Sequence, residues 1–118
     1  IFKKVLDCAF EVHSNLGPGL LESVYEECLI FELQNAGLKV EKQKSLPLTY
    51  KGLLLESRLR IDILVENQII IELKAVEELN DVHLAQTLTY LKLSGCKLAL
   101  LVNFNVAHLK NGIKRVIR

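Results

Sequence analysis

The sequence predicts an α/β (α+β) fold, a central mixed β-sheet flanked by helices in the order ααβββαββ. Three observations predict it. Two N-terminal segments carry apolar residues at helical spacing. Three strand-length apolar segments then follow one another without a helix between them. One further helical segment separates these from a strongly apolar strand and a short final one. The 118 residues are half hydrophobic, near the commonest domain size, so residues 1–118 are expected to form one domain.

Each element has its own signal. Val5, Leu6, Ala9, Val12 and Leu16 form a helical stripe over Ile1 to Leu16, broken by Gly17-Pro18-Gly19. Leu20 to Ala36 reads as a second helix stopped by Gly37. Leu38 to Tyr50 alternates in part and carries Pro47, which suits an edge strand. Lys51-Gly52 is a turn, Leu53 to Val65 a strand and Gln68 to Ala75 the next. Asp81 to Ser94 is the third helix, with Asp81 near its start and Gly95 after its end. Lys97 to Asn103 is a strongly apolar strand, and Asn111-Gly112 turns into a last strand, Ile113 to Ile117.

Composition narrows function. The net charge is +1, so no global basic field announces nucleic acid. Charge is uneven, however: Lys39, Lys42, Lys44 and Lys51 form one basic stretch, and Lys110, Lys114, Arg115 and Arg118 another. Either can be a phosphate-facing rim or a solvated strand face. Cys8, Cys28 and Cys96 are far apart, odd in number and lack metal-ligand spacing, so they read as small core residues in a reduced setting. His13, on a partly apolar helix face, reads as a packing residue, and no second ligand stands near it to argue for zinc. No phosphate-binding glycine loop, signal peptide or membrane span is visible, and a cytoplasmic location is expected. The first residue is Ile1 rather than methionine, so a short N-terminal segment is expected to precede it.

The chemistry concentrates in Arg60 to Lys74. Ile63-Leu64-Val65 and Ile69-Ile70-Ile71 are runs for buried strands, with Glu66-Asn67-Gln68 a polar turn between them. With Val65 paired to Ile69, Asp62 falls opposite Glu72, and opposed residues share a face. Glu72 and Lys74, two apart on one strand, share it too. Two close carboxylates repel unless a cation lies between them, and oxygen-only sites suit magnesium or manganese. The alternative is a Glu72–Lys74 salt bridge on a solvated edge strand, and spacing alone leaves both open.

Asp62, nine intervening residues and Glu72-Leu73-Lys74 resemble the core of the PD-(D/E)XK nuclease superfamily. Gly19-Leu20-Leu21-Glu22-Ser23-Val24-Tyr25 matches the GxxExxY signature of one family within it. The likeness continues through Val12-His13, Leu16-Gly17-Pro18-Gly19, Tyr50-Lys51-Gly52 and Asn111 to Arg115. It implies a restriction-endonuclease-like core and a divalent-metal-dependent nuclease acting on nucleic acid, DNA being the expected substrate. Asp62, Glu72 and the backbone carbonyl of Leu73 would hold Mg2+ or Mn2+. Glu22 would complete the shell directly or through water. Position alone gives Glu22 a simpler role, favourable charge at a helix N-terminus. Lys74 would position the attacking water.

Gln86 and Tyr90, one turn apart, look like the QxxxY element that follows ExK in RecB-like nucleases. With Arg60 they would contact phosphate, although Arg60 can equally neutralise Asp62. Tyr25 would bind phosphate or cap the core with its hydroxyl. His83, one turn before Gln86, can reach the same cleft. Two rival readings stand beside this one: a catalytically silent nucleic-acid- or protein-binding scaffold, and a hydrolase of small nucleotides. The apolar final strand also leads us to expect a homodimer, isologous as is commonest.

Overall fold

A computed structural model describes residues 1–118, the side chain of Ser57 apart. Two helices, α1 (Phe2–Leu16) and α2 (Glu22–Asn35), precede a long hairpin of β1 (Val40–Tyr50) and β2 (Leu53–Val65). Strand β3 (Ile69–Lys74), helix α3 (Asp81–Ser94) and strand β4 (Leu98–Asn103) follow. A 3-10 turn over Leu109–Gly112, not anticipated from the sequence, leads into β5 (Ile113–Ile117). The five strands lie in chain order. Only β3 and β4 run parallel; the other neighbours are antiparallel. The parallel step requires a crossover, and α3 supplies it. The fold class and element order predicted above are thus observed.

Burial follows the apolar pattern. In β3, Ile69 to Leu73 are all buried, as are Ala99 to Asn103 in β4, because helices cover both faces of the sheet there. Val5, Cys8, Ala9 and Val12 of α1 and Tyr25, Leu29 and Leu33 of α2 pack on one face with Ile63, Val65, Ile71 and Leu73. Tyr90 and Leu91 of α3 pack on the other with Leu46, Leu64, Ile70 and Ala99. The alternation of Leu64 against Ile63 and Val65 is what a pleated strand gives. Cys8 and Cys96 are buried and all three cysteines are free, in line with a core role.

The ends of α3 explain its sharp limits. The Asn80 side chain accepts from the His83 amide at 3.0 Å, while His83 Nδ1 accepts from the Asn80 amide at 3.1 Å. These bonds satisfy donors that would otherwise be orphaned. Gly95 closes the other end at φ 79°, a conformation that favours glycine. Pro47 sits on edge strand β1, as expected, beside a shift in register between Leu46 and Leu48. No helix among the described residues is long and apolar enough to cross a membrane.

Candidate active site

The turn pairs Val65 with Ile69, Leu64 with Ile70 and Ile63 with Ile71, the register read from the sequence. Glu66 and Asn67 adopt φ of 53° and 55°, which lets the chain reverse in so few residues. Beyond Ile63 and Ile71 side chains take over from the backbone ladder. The Asp62 amide donates to Glu72 Oε1 at 3.1 Å, and the Leu73 amide donates to Asp62 Oδ2 at 2.8 Å. Each carboxylate thereby satisfies an amide of the other strand, and the two acids are held side by side. β3 meanwhile remains paired with β4 as far as Lys74 and Asn103, so Glu72 is anchored on a central strand.

The ladder between β1 and β2 is disturbed at the same place. Lys42 pairs with Ile63 and Lys44 with Ile61, but the residue between, Gln43, has φ 53°. A non-glycine residue there is strained by about 1–2 kcal/mol. β2 is irregular at the same level. Ile61 and Ile63, two apart on one strand, pack in opposite cores. Gln43 Nε2 donates to Glu26 Oε2 at 2.9 Å.

Electrostatics follow from burial. Glu72 is only 3% exposed. Burial above all, and then the Asp62 charge, push its pKa up to about 9. Without a neighbouring cation, Glu72 therefore carries a proton at neutral pH. Burial also raises Glu26, with Asp62 and Glu22 adding repulsion while the Gln43 hydrogen bond opposes it. The Tyr90 hydroxyl is raised by burial and by the charges of Glu72 and Asp62. Tyr90 therefore borders the acidic pair from α3, and the Gln86 side chain lies within its reach.

Lys74 does not pair with Glu72. Its ammonium donates to Gln86 Oε1 at 3.4 Å, and no Glu72–Lys74 or Arg60–Asp62 ion pair occurs among the described residues. The salt-bridged edge-strand alternative thus fails on both points, since β3 is central. Asp62, Glu72, Lys74, Gln86 and Tyr90 are brought together; Arg60 is exposed on β2, two residues before Asp62.

Three expectations need correcting. Tyr25 is wholly buried: its hydroxyl donates to the Gly17 carbonyl at 2.6 Å and accepts from the Leu20 amide at 3.1 Å. Its ring stacks on Phe104 with centroids 4.6 Å apart. The tyrosine of the signature locks the Gly17-Pro18-Gly19 turn to the core and offers no surface to a phosphate. Glu22 is exposed in the first turn of α2, which begins there rather than at Leu20. No group of three or more histidine, cysteine or acidic side chains able to hold a cation occurs among the described residues. His83 is committed to the α3 cap. His13, as expected, is a buried packing residue whose Nε2 bonds the Val106 carbonyl at 2.8 Å.

Sequence reasoning missed Glu26, Gln43 and Asn103. Glu26 stands one helical turn after Glu22, a spacing that puts both on one face. Asn103, 2% exposed at the end of β4, accepts from the amides of Val76 and Asn105 and donates to the Val76 carbonyl. Asn105 Oδ1 in turn accepts from the Gly19 amide. This network ties the segment after β3 to the turn before α2. Its signal was a polar residue ending an otherwise apolar run.

The family model for the PD-(D/E)XK nuclease superfamily matches residues 1–116. The chain belongs to the PD-(D/E)XK nuclease superfamily. No curated protein and no solved structure matched it. Nucleases of this superfamily typically use divalent metals on nucleic-acid substrates, and the donors fit in part. Two adjacent carboxylates supply the hard oxygens such a cation takes. Burial and the Asp62 charge, which raise Glu72, are penalties that a cation bound there would offset.

Proposed function

We propose that residues 1–118 form one nuclease domain of PD-(D/E)XK type, in the GxxExxY branch, which hydrolyses phosphodiester bonds of DNA with Mg2+ or Mn2+. The observation that carries this reading is the reciprocal bonding of Asp62 and Glu72 at the parted ends of β2 and β3, with Lys74 two residues on. Asp62, Glu72 and the Leu73 carbonyl would hold the cation, and Glu22 enters only through water. A divalent cation there would acidify a bound water and neutralise charge on the phosphate. Lys74 supplies a second positive charge beside the scissile group, and Gln86 holds its ammonium in place. Tyr90 closes the site from α3, and Arg60 meets the phosphate chain at the rim. Leu21, Val24 and Phe31 expose apolar side chains, which supports including a homodimer in the reading. Light scattering that finds a strict monomer at high concentration removes the dimer alone.

One observation favours a silent scaffold instead: the acidic pair lacks a third grouped ligand among the described residues. A cleavage panel decides. Wild type is incubated with Mg2+ or Mn2+ on single-stranded, double-stranded and branched DNA and on RNA, beside Lys74→Met. Loss of one positioned cation should reduce cleavage by about two orders of magnitude or more. The melting temperature should hardly move, because Lys74 is half-exposed and pairs with no acid. An inert wild type on every substrate, or a variant that loses stability yet cleaves normally, would leave the scaffold standing.

A further inference from the structure

The β1–β2 hairpin is longer than the sheet needs. β2 pairs with β3 only from Ile63 to Val65, so the stretch from Leu53 to Asp62 has β1 as its sole strand neighbour. The ribbon is rooted in the α3-side core through Leu46, Leu59 and Ile61. Beyond that root, none of its described residues is buried. A bare two-stranded ribbon contributes little stability of its own.

Charge and apolar surface are both concentrated on this arm. Residues 42–60 hold five basic side chains, Lys42, Lys44, Lys51, Arg58 and Arg60, and one acid, Glu56. Glu41, one residue earlier on β1, pairs with Lys44 at 3.2 Å, so residues 41–60 carry +3 in a chain of total charge +1. All five basic residues are exposed. At the tip, Tyr50 pairs with Leu53 and Thr49 with Leu54. Tyr50, Leu53 and Leu54 are 61%, 60% and 53% exposed, and the Lys51 ammonium lies 5.5 Å from the Tyr50 ring centre. A second copy paired tip to tip would set Lys51 and Arg58 of one arm against those of the other. A polyanion that also presents flat apolar rings satisfies both features at once.

We propose that the β1–β2 arm is a nucleic-acid wedge: its basic flanks hold phosphates while Tyr50, Leu53 and Leu54 lie against unstacked bases. Inserting apolar side chains between stacked bases costs unstacking energy, which is least where bases are already unpaired. The wedge therefore selects forks and flaps over uninterrupted duplex. The spacing is compatible with one substrate spanning arm and site. Leu54 and Asp62 are eight residues apart along β2, about 26 Å at strand rise, roughly eight nucleotide steps.

This inference rests on the nucleic-acid reading but not on hydrolysis, so the test is binding with the metal chelated. Fluorescence anisotropy in EDTA compares a forked DNA with a blunt duplex of equal length. Wild type should bind the fork at least about tenfold more tightly, a difference of about 1.4 kcal/mol. The triple variant Tyr50→Ser, Leu53→Ser, Leu54→Ser should bind both alike, with an unchanged circular dichroism spectrum. Arg58→Gln should instead weaken both equally and lower the salt dependence by about one phosphate contact. Three results would overturn the wedge. One is no fork preference in wild type; another is a preference that survives in the triple variant. The third is a triple variant that turns from dimer to monomer with DNA binding intact, which makes the tip an interface between copies. Fork binding without any cleavage would instead fail the nuclease reading and leave the wedge standing.

Discussion

Replacing Glu72 with glutamine separates what the carboxyl does for the fold from what it would do for a cation. Burial and Asp62 push the Glu72 pKa up to about 9, against an ordinary value of 4.5. Between those values the folded protein holds a proton that the unfolded chain has released. The native state then binds more protons than the unfolded one, so stability falls as pH rises. The contribution is complete below the ordinary value and lost as pH rises through about 9. One proton corresponds to a slope of up to about 1.4 kcal/mol per pH unit, roughly 6 °C in melting temperature for a chain of this size. Glutamine is neutral, has the same shape and keeps an oxygen for the Asp62 amide. Metal-free Glu72→Gln should therefore melt with a flatter pH profile, the gap from wild type widening by up to that slope between about pH 6 and 8.5. Mn2+ at about a hundred times its Kd should add about 2.7 kcal/mol to wild type at pH 8 and nothing to the variant. Melting curves in EDTA and in Mn2+ across this range give both answers. Parallel pH profiles, or a variant that keeps the full stabilisation by metal, refute the reasoning.

Three further substitutions test the supports. Tyr25→Phe leaves a carbonyl and an amide near Gly17 without their partner; urea unfolding should show a loss of about 1–3 kcal/mol. If stability holds and only cleavage falls, Tyr25 serves substrate after all. Asn103→Ala removes bonds to Val76 and Asn105 in a buried position, at a cost of about 3 kcal/mol. Amide exchange at Val76 should accelerate, and a protected Val76 in the variant would contradict the network. Gly112→Ala drives a Cβ into the Asn103 carbonyl and should cost about 1–3 kcal/mol, whereas Gly112→Ser behaving like wild type would show that the backbone yields there.

The fold was legible where local signals agreed. Apolar runs in β3 and β4, the glycine after α3 and Pro47 on β1 each point to one structure by one mechanism. The hairpin register was legible because a three-residue turn fixes it, and the register in turn carried Asp62 to Glu72. What was hidden depended on contacts remote in sequence. The tyrosine of the signature looks like a ligand-binding group in one dimension; its burial arises from Phe104, far along the chain. The left-handed turn at Gln43 has no glycine to announce it. The link from Asn103 to Val76 joins two elements separated by α3. The capping role of His83 was nearer to hand, because Asn80 precedes it at the spacing that caps use.

The acidic pair sits where three strands stop behaving regularly, and a physical reason connects the two facts. A sheet pairs its amides with carbonyls, leaving no opening at its centre for a ligand. To place carboxylates there, the ladder must part, and the freed amides then need acceptors. Asp62 and Glu72 supply those acceptors to each other's strand, so the residues that terminate pairing also satisfy what termination exposes. One oxygen of each, Asp62 Oδ1 and Glu72 Oε2, is not engaged in these two bonds. On the opposite side of β2, Gln43 turns left-handed and gives its side-chain amide to Glu26. Without a cation, burial and the Asp62 charge favour a proton on Glu72. Proton and cation compete for the same oxygens, so metal affinity should rise with pH until Glu72 is ionised on its own.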